Sequence, residues 1–249
     1  MLVLGFDTAT PAVSVALHDG ERVIAAASAL DARRHSELLT PMIAKIMADA
    51  GASRADLTAI AVGVGPGPYT GLRVGLVTAR VLGSVLRLPV SGVCSLDVIA
   101  ASAASAASAS PAGPFLVATD ARRKEVYWAR YDAAGRRIAG PHVAQASTIP
   151  DAASLPVAGA GGPLYPEAFG ALIGFAYPDA RTLCGLVARP AGQVPLLAPE
   201  PLYLRRPDAR EPGPPKRVTP YLPGGTTPQD SPRTGGSTPS FPPDPPVRP

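Results

Sequence analysis

The chain is poor in the residues that metal and redox sites use. Its 249 residues include two cysteines and three histidines. Cys94 and Cys184 stand far apart and show no CxxC spacing, so a disulfide framework is not implied. His35 is followed four positions later by Leu39, so a helical pair of histidines cannot form a zinc site there. We therefore expect no metal site, which argues against a metalloprotease-like enzyme.

Charge is scarce as well. Charged residues make up 17% of the chain against 46% hydrophobic residues, and the net charge is +4. This small excess of positive charge does not by itself argue for nucleic-acid binding. The first residues reach Asp7 without a basic segment, which is not the pattern of a signal peptide. The uncharged stretch Val98–Thr119 is rich in Ser and Ala and contains Pro111 and Pro114, so we interpret it as a helix end and a linker rather than a membrane span. We expect a cytoplasmic protein with no membrane contact.

The most distinctive segment is GVGPGPYTGLRVG, residues 63–75. Alternating Gly and Pro impose an unusual backbone path, because Gly allows positive φ and Pro fixes φ near −65°. A strand is predicted at Ala59–Val62 and a helix at Thr70–Leu86, with Thr70 as its N-cap. A Gly-Lys-Ser/Thr sequel is absent, so the loop is not a Walker phosphate loop.

The predicted helix carries only Arg73 and Arg80 as charged residues. A helix that is apolar on every side packs within a core or against a partner. Small residues recur at every fourth position and therefore share one face: Gly71, Gly75, Ala79 and Gly83. This face fits either tight packing within the chain or a helix-on-helix interface. The second interpretation predicts that Gly75→Leu abolishes pairing while the monomer still folds.

The hydrophobic pattern predicts alternating strands and helices. In the first half we expect strands at Leu2–Phe6, Ala12–His18, Glu21–Ala29 and Pro89–Val93, a helix over Leu38–Ala50 that begins near Ser36 or Thr40, and a helix over Ser95–Ala104. In the second half we expect strands from Val117, Val126 and Gly135, a strand at Val157–Ala160, helices at Tyr165–Ile173 and Leu183–Ala188, and an ordered end at Pro201–Arg205.

An internal repeat indicates two similar lobes. Leu4–Asp7 and Val13–Asp19 match Val117–Asp120 and Val126–Asp132, each pair being followed by a turn and a third strand. The repeat predicts an N-terminal lobe at 1–105, a linker at 106–114 and a smaller C-terminal lobe at 115–206. We expect residues 207–249 to be a disordered tail, because a Pro-rich polar segment cannot bury enough apolar surface to fold.

An aspartate ends the first strand of each repeat. Asp7, Thr8 and Thr10 could form a phosphate turn through backbone N–H groups and hydroxyls. The facing turn, Asp120–Lys124, lacks the Gly and Thr that let a backbone approach phosphate, which argues against the alternative of a stand-alone actin-like-fold ATPase or kinase. Its basic residues Arg122–Lys124 fit either a solvated surface or contact with tRNA phosphates.

At GVGPGPYTGLRVG the chain resembles the TsaB (YeaZ) family. Further matches are Asp7–Thr10, His35–Met42, Asp120–Arg122, Glu125–Ala129 and Glu200–Arg205, so the resemblance covers about residues 1–206. It implies an α/β, actin-like (ASKHA, RNase H-like) two-lobed fold, each lobe starting β-β-β with helices packed on a mixed sheet.

The resemblance also implies the function. It implies a non-catalytic scaffold, or dimerisation subunit, that pairs with and activates a TsaD-type catalytic paralogue for threonylcarbamoylation of the tRNA adenosine next to the anticodon. Leu39 stands where the catalytic paralogue would have its second metal-binding histidine. Other implied partners are the ATPase TsaE, tRNA through the complex, and a second copy when the subunit is alone. The subunit would have no cofactor of its own, with ATP and metal handled by partner subunits.

The implied residues form two groups. The helices Leu38–Ala50 and Thr70–Leu86 would pack against the same helices of the partner, with these interface residues: Leu38, Met42, Ile46, Tyr69, Gly71, Leu72, Gly75, Leu76, Ala79 and Gly83. Asp7, Thr8 and Thr10 would be a vestigial phosphate turn, and no residue is expected to be catalytic.

Overall fold

The structure, a computed structural model, describes residues 1–106, 111–188 and 194–205. The predicted disordered tail at 207–249 and part of the predicted linker lie outside the described residues.

The first sheet is built from five strands of the N-terminal half. The elements in chain order are β1 (Val3–Asp7), β2 (Ala12–His18), β3 (Val23–Leu30), α1 (His35–Asp49), β4 (Ala59–Gly63), α2 (Tyr69–Leu86), β5 (Val90–Val93) and α3 (Ser95–Ala104). The strand order is β3-β2-β1-β4-β5. β1 is antiparallel to β2, to which a short turn joins it, and parallel to β4, which the chain reaches through β2, β3 and the crossover helix α1.

The second sheet repeats this arrangement with four strands. Its elements are β6 (Phe115–Asp120), β7 (Glu125–Tyr131), β8 (Arg137–Gln145), β9 (Val157–Ala158), α4 (Gly161–Leu164) and α5 (Ala180–Ala188). The order is β8-β7-β6-β9, with β6 antiparallel to β7 and parallel to β9. The predicted duplication of a β-β-β start on a mixed sheet is therefore confirmed.

Some local predictions differ from the structure. The predicted helix Tyr165–Ile173 is wrong, because that stretch consists of turns and bends and of an isolated β-bridge at Leu172. A backbone contact explains part of this: Gly170 donates to the carbonyl of Leu155 at 3.2 Å, and a side chain there would press on that carbonyl. Thr70 is not the N-cap, since α2 begins one residue earlier with Pro68 in the cap position. α1 begins at His35, close to the earlier of the two predicted starts, and contains Pro41.

Helices cover both faces of the first sheet. Leu4 and Phe6 of β1 belong to the apolar cluster that includes α1 and α2, while Val3 belongs to the cluster that includes α5. Gly5 lies so close to Cys184 of α5 that a side chain there would overlap the sulfur. All residues of β1 and β4 are buried, as expected for strands with both faces covered.

The two halves of the chain exchange helices. α5, from the C-terminal half, packs on the first sheet, whereas α3, which follows β5, packs Leu96 and Ile99 against the second sheet. Asp97 of α3 accepts a hydrogen bond from the Tyr131 hydroxyl at 2.7 Å and pairs with Arg137 at 3.2 Å. This exchange joins the two sheets by apolar and polar contacts.

The row of small residues on α2 faces the chain's own first sheet. The Thr8 hydroxyl donates to the carbonyl of Gly71 at 2.8 Å and accepts from the N–H of Gly75 at 3.0 Å, so it bonds both backbone groups of one helical turn. A Cβ on Gly75 would lie 2.6 Å from that hydroxyl, and one on Gly83 would overlap Val90. Of the two interpretations of this row, packing within the chain is the one that the structure shows.

We predict opposite effects from two Gly→Ala substitutions in helices. Gly75→Ala should lower the free energy of unfolding by about 1–3 kcal/mol, because the new methyl meets an anchored hydroxyl. Gly185→Ala in α5 is the matched control: nothing lies within 4 Å of its Cβ position. It should stabilise the chain by about 0.5–1 kcal/mol through helix propensity. Urea unfolding measures both, and a Gly75→Ala protein as stable as the parent would contradict the packing described here.

Candidate functional site

The solvent-facing side of α2 is an apolar stripe. Tyr69, Val77, Val81 and Val85 are exposed by 54%, 53%, 54% and 74%. Their spacing of four or eight residues places them on one side of the helix. Arg73 and Arg80 are exposed beside them, and α2 contains no acidic residue. We call these six residues the outer face of α2: Tyr69, Arg73, Val77, Arg80, Val81 and Val85.

The predicted interface residues fall into two groups in the structure. Tyr69 is exposed, while Leu38 and Met42 of α1 are partly buried beside the core. The other seven are buried within the chain, so a partner could not reach them without displacing α1 or α2: Ile46, Gly71, Leu72, Gly75, Leu76, Ala79 and Gly83. Their assignment as contact residues is therefore corrected. Gly75→Leu would disturb the monomer itself.

The sequence reasoning missed Val77, Val81 and Val85. Their four-residue spacing can be seen in the sequence. The contact residues were nevertheless predicted on the opposite side of the helix, where the small residues lie. When a helix has two apolar faces, only the tertiary structure shows which face is buried and which is exposed. Hydrophobic periodicity does not distinguish them.

An aromatic pair fixes the N-terminal end of α2. The Tyr69 ring stacks on Tyr203 with centroids 5.6 Å apart, and the Arg73 guanidinium lies 4.9 Å from the Tyr69 ring centroid. Arg73 also donates to the Tyr69 hydroxyl. Stacking and cation–π contacts of this kind hold exposed aromatic side chains in place.

The segment 194–205 ties this end to the Gly/Pro loop. Leu197 and Gly92 exchange two backbone hydrogen bonds of 2.8 Å, and Leu202 N–H donates to the Val64 carbonyl at 2.9 Å. Further on, Arg205 pairs with Glu125 and donates to the Ala121 carbonyl at 3.2 Å. The segment therefore links the start of α2 to the turn that follows β6.

The turn after β1 uses its polar groups inside the protein. Asp7 is buried, and its two carboxylate oxygens accept from Ala9 N–H at 2.7 Å and the Ser95 hydroxyl at 2.6 Å. Burial raises the pKa of Asp7, and these two bonds oppose the rise. His35 Nε2 donates to the Thr10 carbonyl at 2.8 Å, which fixes α1 to the same turn. The vestigial phosphate turn stays a prediction, with its side chains occupied in folding contacts.

The turn after β6, Asp120–Lys124, is held by a hydrogen bond within the turn. Asp120 accepts from the N–H of Arg122 at 2.7 Å, and Arg122, Arg123 and Lys124 all have left-handed backbones with φ of 62°, 56° and 63°. Between the two turns lies a cleft of roughly 390 Å³. Within the described residues, no group of three or more His, Cys, Asp or Glu side chains could hold a metal ion. The same part of the chain contains no helix long and apolar enough to cross a membrane.

Comparison with known proteins identifies the family. A family model described as TsaD, tRNA N6-adenosine threonylcarbamoyltransferase, matches residues 28–163. An uncharacterized protein of Mycobacterium tuberculosis is 45% identical over 221 residues, covering 84% of this chain and 93% of the relative. The solved structure of YeaZ from Pseudomonas aeruginosa has a TM-score of 0.68 and 32% identity, covering 82% of this chain and 99% of that one. The chain belongs to the TsaB/YeaZ family.

A named TsaB relative matches over part of its length. The tRNA threonylcarbamoyladenosine biosynthesis protein TsaB of Escherichia coli is 40% identical over 132 residues. The match covers 53% of this chain and 55% of the relative, so it spans about half of each. The α/β architecture with two mixed sheets is that of the YeaZ structure, which confirms the predicted fold class.

For this TsaB/YeaZ chain we predict opposite pKa shifts at two aspartates. The carboxyl of Asp7 should titrate above its ordinary value of 3.8 because it is desolvated. That of Asp19 should titrate below 3.8, because backbone N–H groups of Arg22 and Glu21 stabilise its charged form. Deprotonation of Asp7 then opposes folding as the pH rises from 3.8 through the raised pKa, and the cost is fully present above that raised pKa. Carboxyl-detected NMR titration measures both midpoints, and an Asp7 midpoint at or below 3.8 would contradict the buried assignment.

Proposed function

We propose that this chain is the non-catalytic scaffold subunit of tRNA threonylcarbamoyladenosine biosynthesis. In this proposal it pairs with and activates a TsaD-type threonylcarbamoyltransferase that modifies the tRNA adenosine next to the anticodon. Relatives named for this biosynthesis and the YeaZ structure support the process. The outer face of α2 supports the pairing and is the observation that carries it.

The exposed valines of that face favour a protein contact. β-Branched residues are weaker helix formers than alanine, so three exposed valines help neither the helix nor solubility. A contiguous apolar patch on an otherwise polar surface marks a contact site. Removing apolar surface from water contributes about 25 cal/mol for each Å² to association, from which the entropy cost of binding is subtracted. The helix beneath is fixed by Thr8, so little order has to be gained on binding.

The hydrogen bonds of the turn after β1 favour a scaffold over a stand-alone ATPase or kinase. A carboxylate that acts on a nucleotide or its metal needs an oxygen free to reach them. Both oxygens of Asp7 accept hydrogen bonds from the chain itself, and the Thr8 hydroxyl is committed to α2. In our proposal the ATP and metal chemistry belongs to partner subunits, including the ATPase TsaE.

The charges of the outer face favour a different partner over a second copy. Arg73 and Arg80 lie beside the valines, and α2 has no carboxylate to oppose them. Two α2 helices in contact would bring four guanidinium groups together, and like charges across an interface oppose association. We propose that a homodimer of the isolated subunit uses the same face but is the weaker pair.

We predict that one charge on this face abolishes pairing. Val81→Asp should weaken binding to the TsaD-type paralogue by about 100-fold or more, because a carboxylate would lose its hydration within an apolar contact. The matched control is Ile138→Asp on β8, where the parent side chain is 55% exposed against 54% for Val81. Both variants should unfold within about 0.5 kcal/mol of the parent, as surface substitutions usually do.

Binding is measured by calorimetry with the purified paralogue, and threonylcarbamoyladenosine formation by the reconstituted complex. Val81→Asp should lose both and Ile138→Asp should keep both. Normal pairing by Val81→Asp would refute the assigned face. Unchanged product formation by the reconstituted complex in the complete absence of this subunit would refute the scaffold role.

A further inference from the structure

Strand β3 forms one edge of the first sheet. Among the described strands it pairs only with β2. Directly after it, the Asp31 N–H donates to the Pro11 carbonyl at 2.9 Å, in line with β2. Alternate residues of an antiparallel strand direct their N–H and C=O groups to the same neighbour. Ala26, Ser28 and Leu30 therefore direct these groups away from β2.

This edge lacks the features that usually prevent pairing with another strand, which are charged side chains, proline and bulges. β3 contains no charged residue and no proline. Its one bulge lies at its start, opposite Leu17 and His18, so Ala25–Leu30 are regular. The corresponding edge of the second sheet, β8, carries Arg137, Pro141 and register irregularities. Of these two edges, β3 is the one open to a further strand.

Two large apolar side chains mark the ends of this open edge. Ile24 is 38% exposed and Leu30 is 66% exposed. A cavity of roughly 280 Å³ lies along residues 26–30 and is bordered by Tyr177 and Pro178. Exposed apolar residues at an unpaired strand favour contact with another chain. A further strand here would cover both side chains.

β3 of a second copy fits this edge. When a two-fold axis joins two such strands antiparallel with the same faces of both sheets aligned, the axis passes between the two copies of one residue, because side chains alternate between the faces. An axis at Ala27 places Ile24 of each copy opposite Leu30 of the other. It also places Ala26 opposite Ser28, so their outward N–H and C=O groups meet in hydrogen-bonding positions.

The charges at the two ends of β3 favour this register. Glu21 precedes the strand, Arg33 follows it, and both are exposed. Among the described residues neither forms an ion pair, whereas the other charged residues at these ends pair locally: Arg22 with Asp19, and Arg34 with Asp31 and Glu37. An axis at Ala27 brings Glu21 of each copy beside Arg33 of the other. An axis at Ala26 would instead set Glu21 opposite Asp31, and like charges directly opposite are destabilising.

We propose that β3 pairs with β3 of a second copy of this chain, antiparallel and centred on Ala27. The two five-stranded sheets then join into one continuous sheet. The contact lies on a different element from the outer face of α2, so it does not depend on pairing with a catalytic subunit. Because two short strands bury little surface, we expect a dissociation constant of about 10–100 μM.

Sedimentation equilibrium measures this association. The full chain carries Val81→Asp in every sample, which removes self-association through the outer face of α2. Adding Ser28→Lys should weaken the dimer at least about tenfold, because it places a charge at the centre of the strand pair. The control is Ile138→Lys on the other edge strand, β8, which should leave association unchanged. A Val81→Asp chain that stays monomeric at about 0.5 mM, or equal association with Ser28→Lys, would overturn the proposal.

Charge reversal tests the antiparallel register in the same samples at low salt. Glu21→Arg should weaken the dimer about fivefold, because it sets like charges beside each other at both ends of the contact. Combining it with Arg33→Glu should restore the parent's association. A double variant that associates as weakly as Glu21→Arg alone would overturn the register.

Disulfide trapping locates the axis. With the axis at Ala27, the two copies of that residue form a non-hydrogen-bonded pair with Cα atoms about 4.5 Å apart, within reach of a disulfide. The two copies of Ala29 would lie roughly 13 Å apart along the strands. Copper phenanthroline should therefore oxidise Ala27→Cys to a covalent dimer and leave Ala29→Cys monomeric, while the native cysteines are buried. A covalent dimer from both variants, or from neither, would overturn the proposed axis.

Discussion

The Thr8 hydroxyl holds the contact on which the rest of the structure depends. It bonds the Gly71 carbonyl and the Gly75 N–H, and so joins the turn after β1 to the first turns of α2. Glycine is required at both positions because a Cβ would press on Thr8. The neighbouring Thr10 carbonyl holds α1 through His35. One short turn thereby positions both helices that cover this side of the first sheet. The Thr8 hydroxyl and the Asp7 carboxylate of this turn are hydrogen-bonded within the chain.

That contact explains why α2 is apolar on opposite sides. Its inner side is seated on β1 and β4 by small residues, which leaves Val77, Val81 and Val85 facing solvent on a helix that cannot rotate. The pair of Tyr69 and Tyr203 fixes its N-terminal end. A rigid, apolar and positively charged face suits recognition of a partner.

Much of the fold could be predicted from the sequence, because strands and long helices follow local hydrophobic periodicity. The duplicated β-β-β start was visible in Leu4–Asp7 and Val117–Asp120, and the structure confirms it. The helix over Tyr165–Ile173 was wrong because distant backbone contacts to Gly170 override local pattern. The interface on α2 stays a prediction, and the residues named for it from the sequence lie mostly on the side of the helix that the chain itself buries. Which of two apolar faces is covered depends on tertiary packing, and a one-dimensional pattern does not contain that information.

The central claim is that the outer face of α2 is covered by the catalytic partner. Thiol labelling of Val81→Cys tests it most directly, because the native Cys94 and Cys184 are buried and burial raises the pKa of each to about 12. Buried thiols of high pKa react slowly, so a maleimide reports the new site. The account predicts rapid labelling of the free chain and strong protection when the TsaD-type paralogue is added, with no protection of Ile138→Cys. Equal labelling rates at position 81 with and without the paralogue, under conditions where the complex forms, would contradict it.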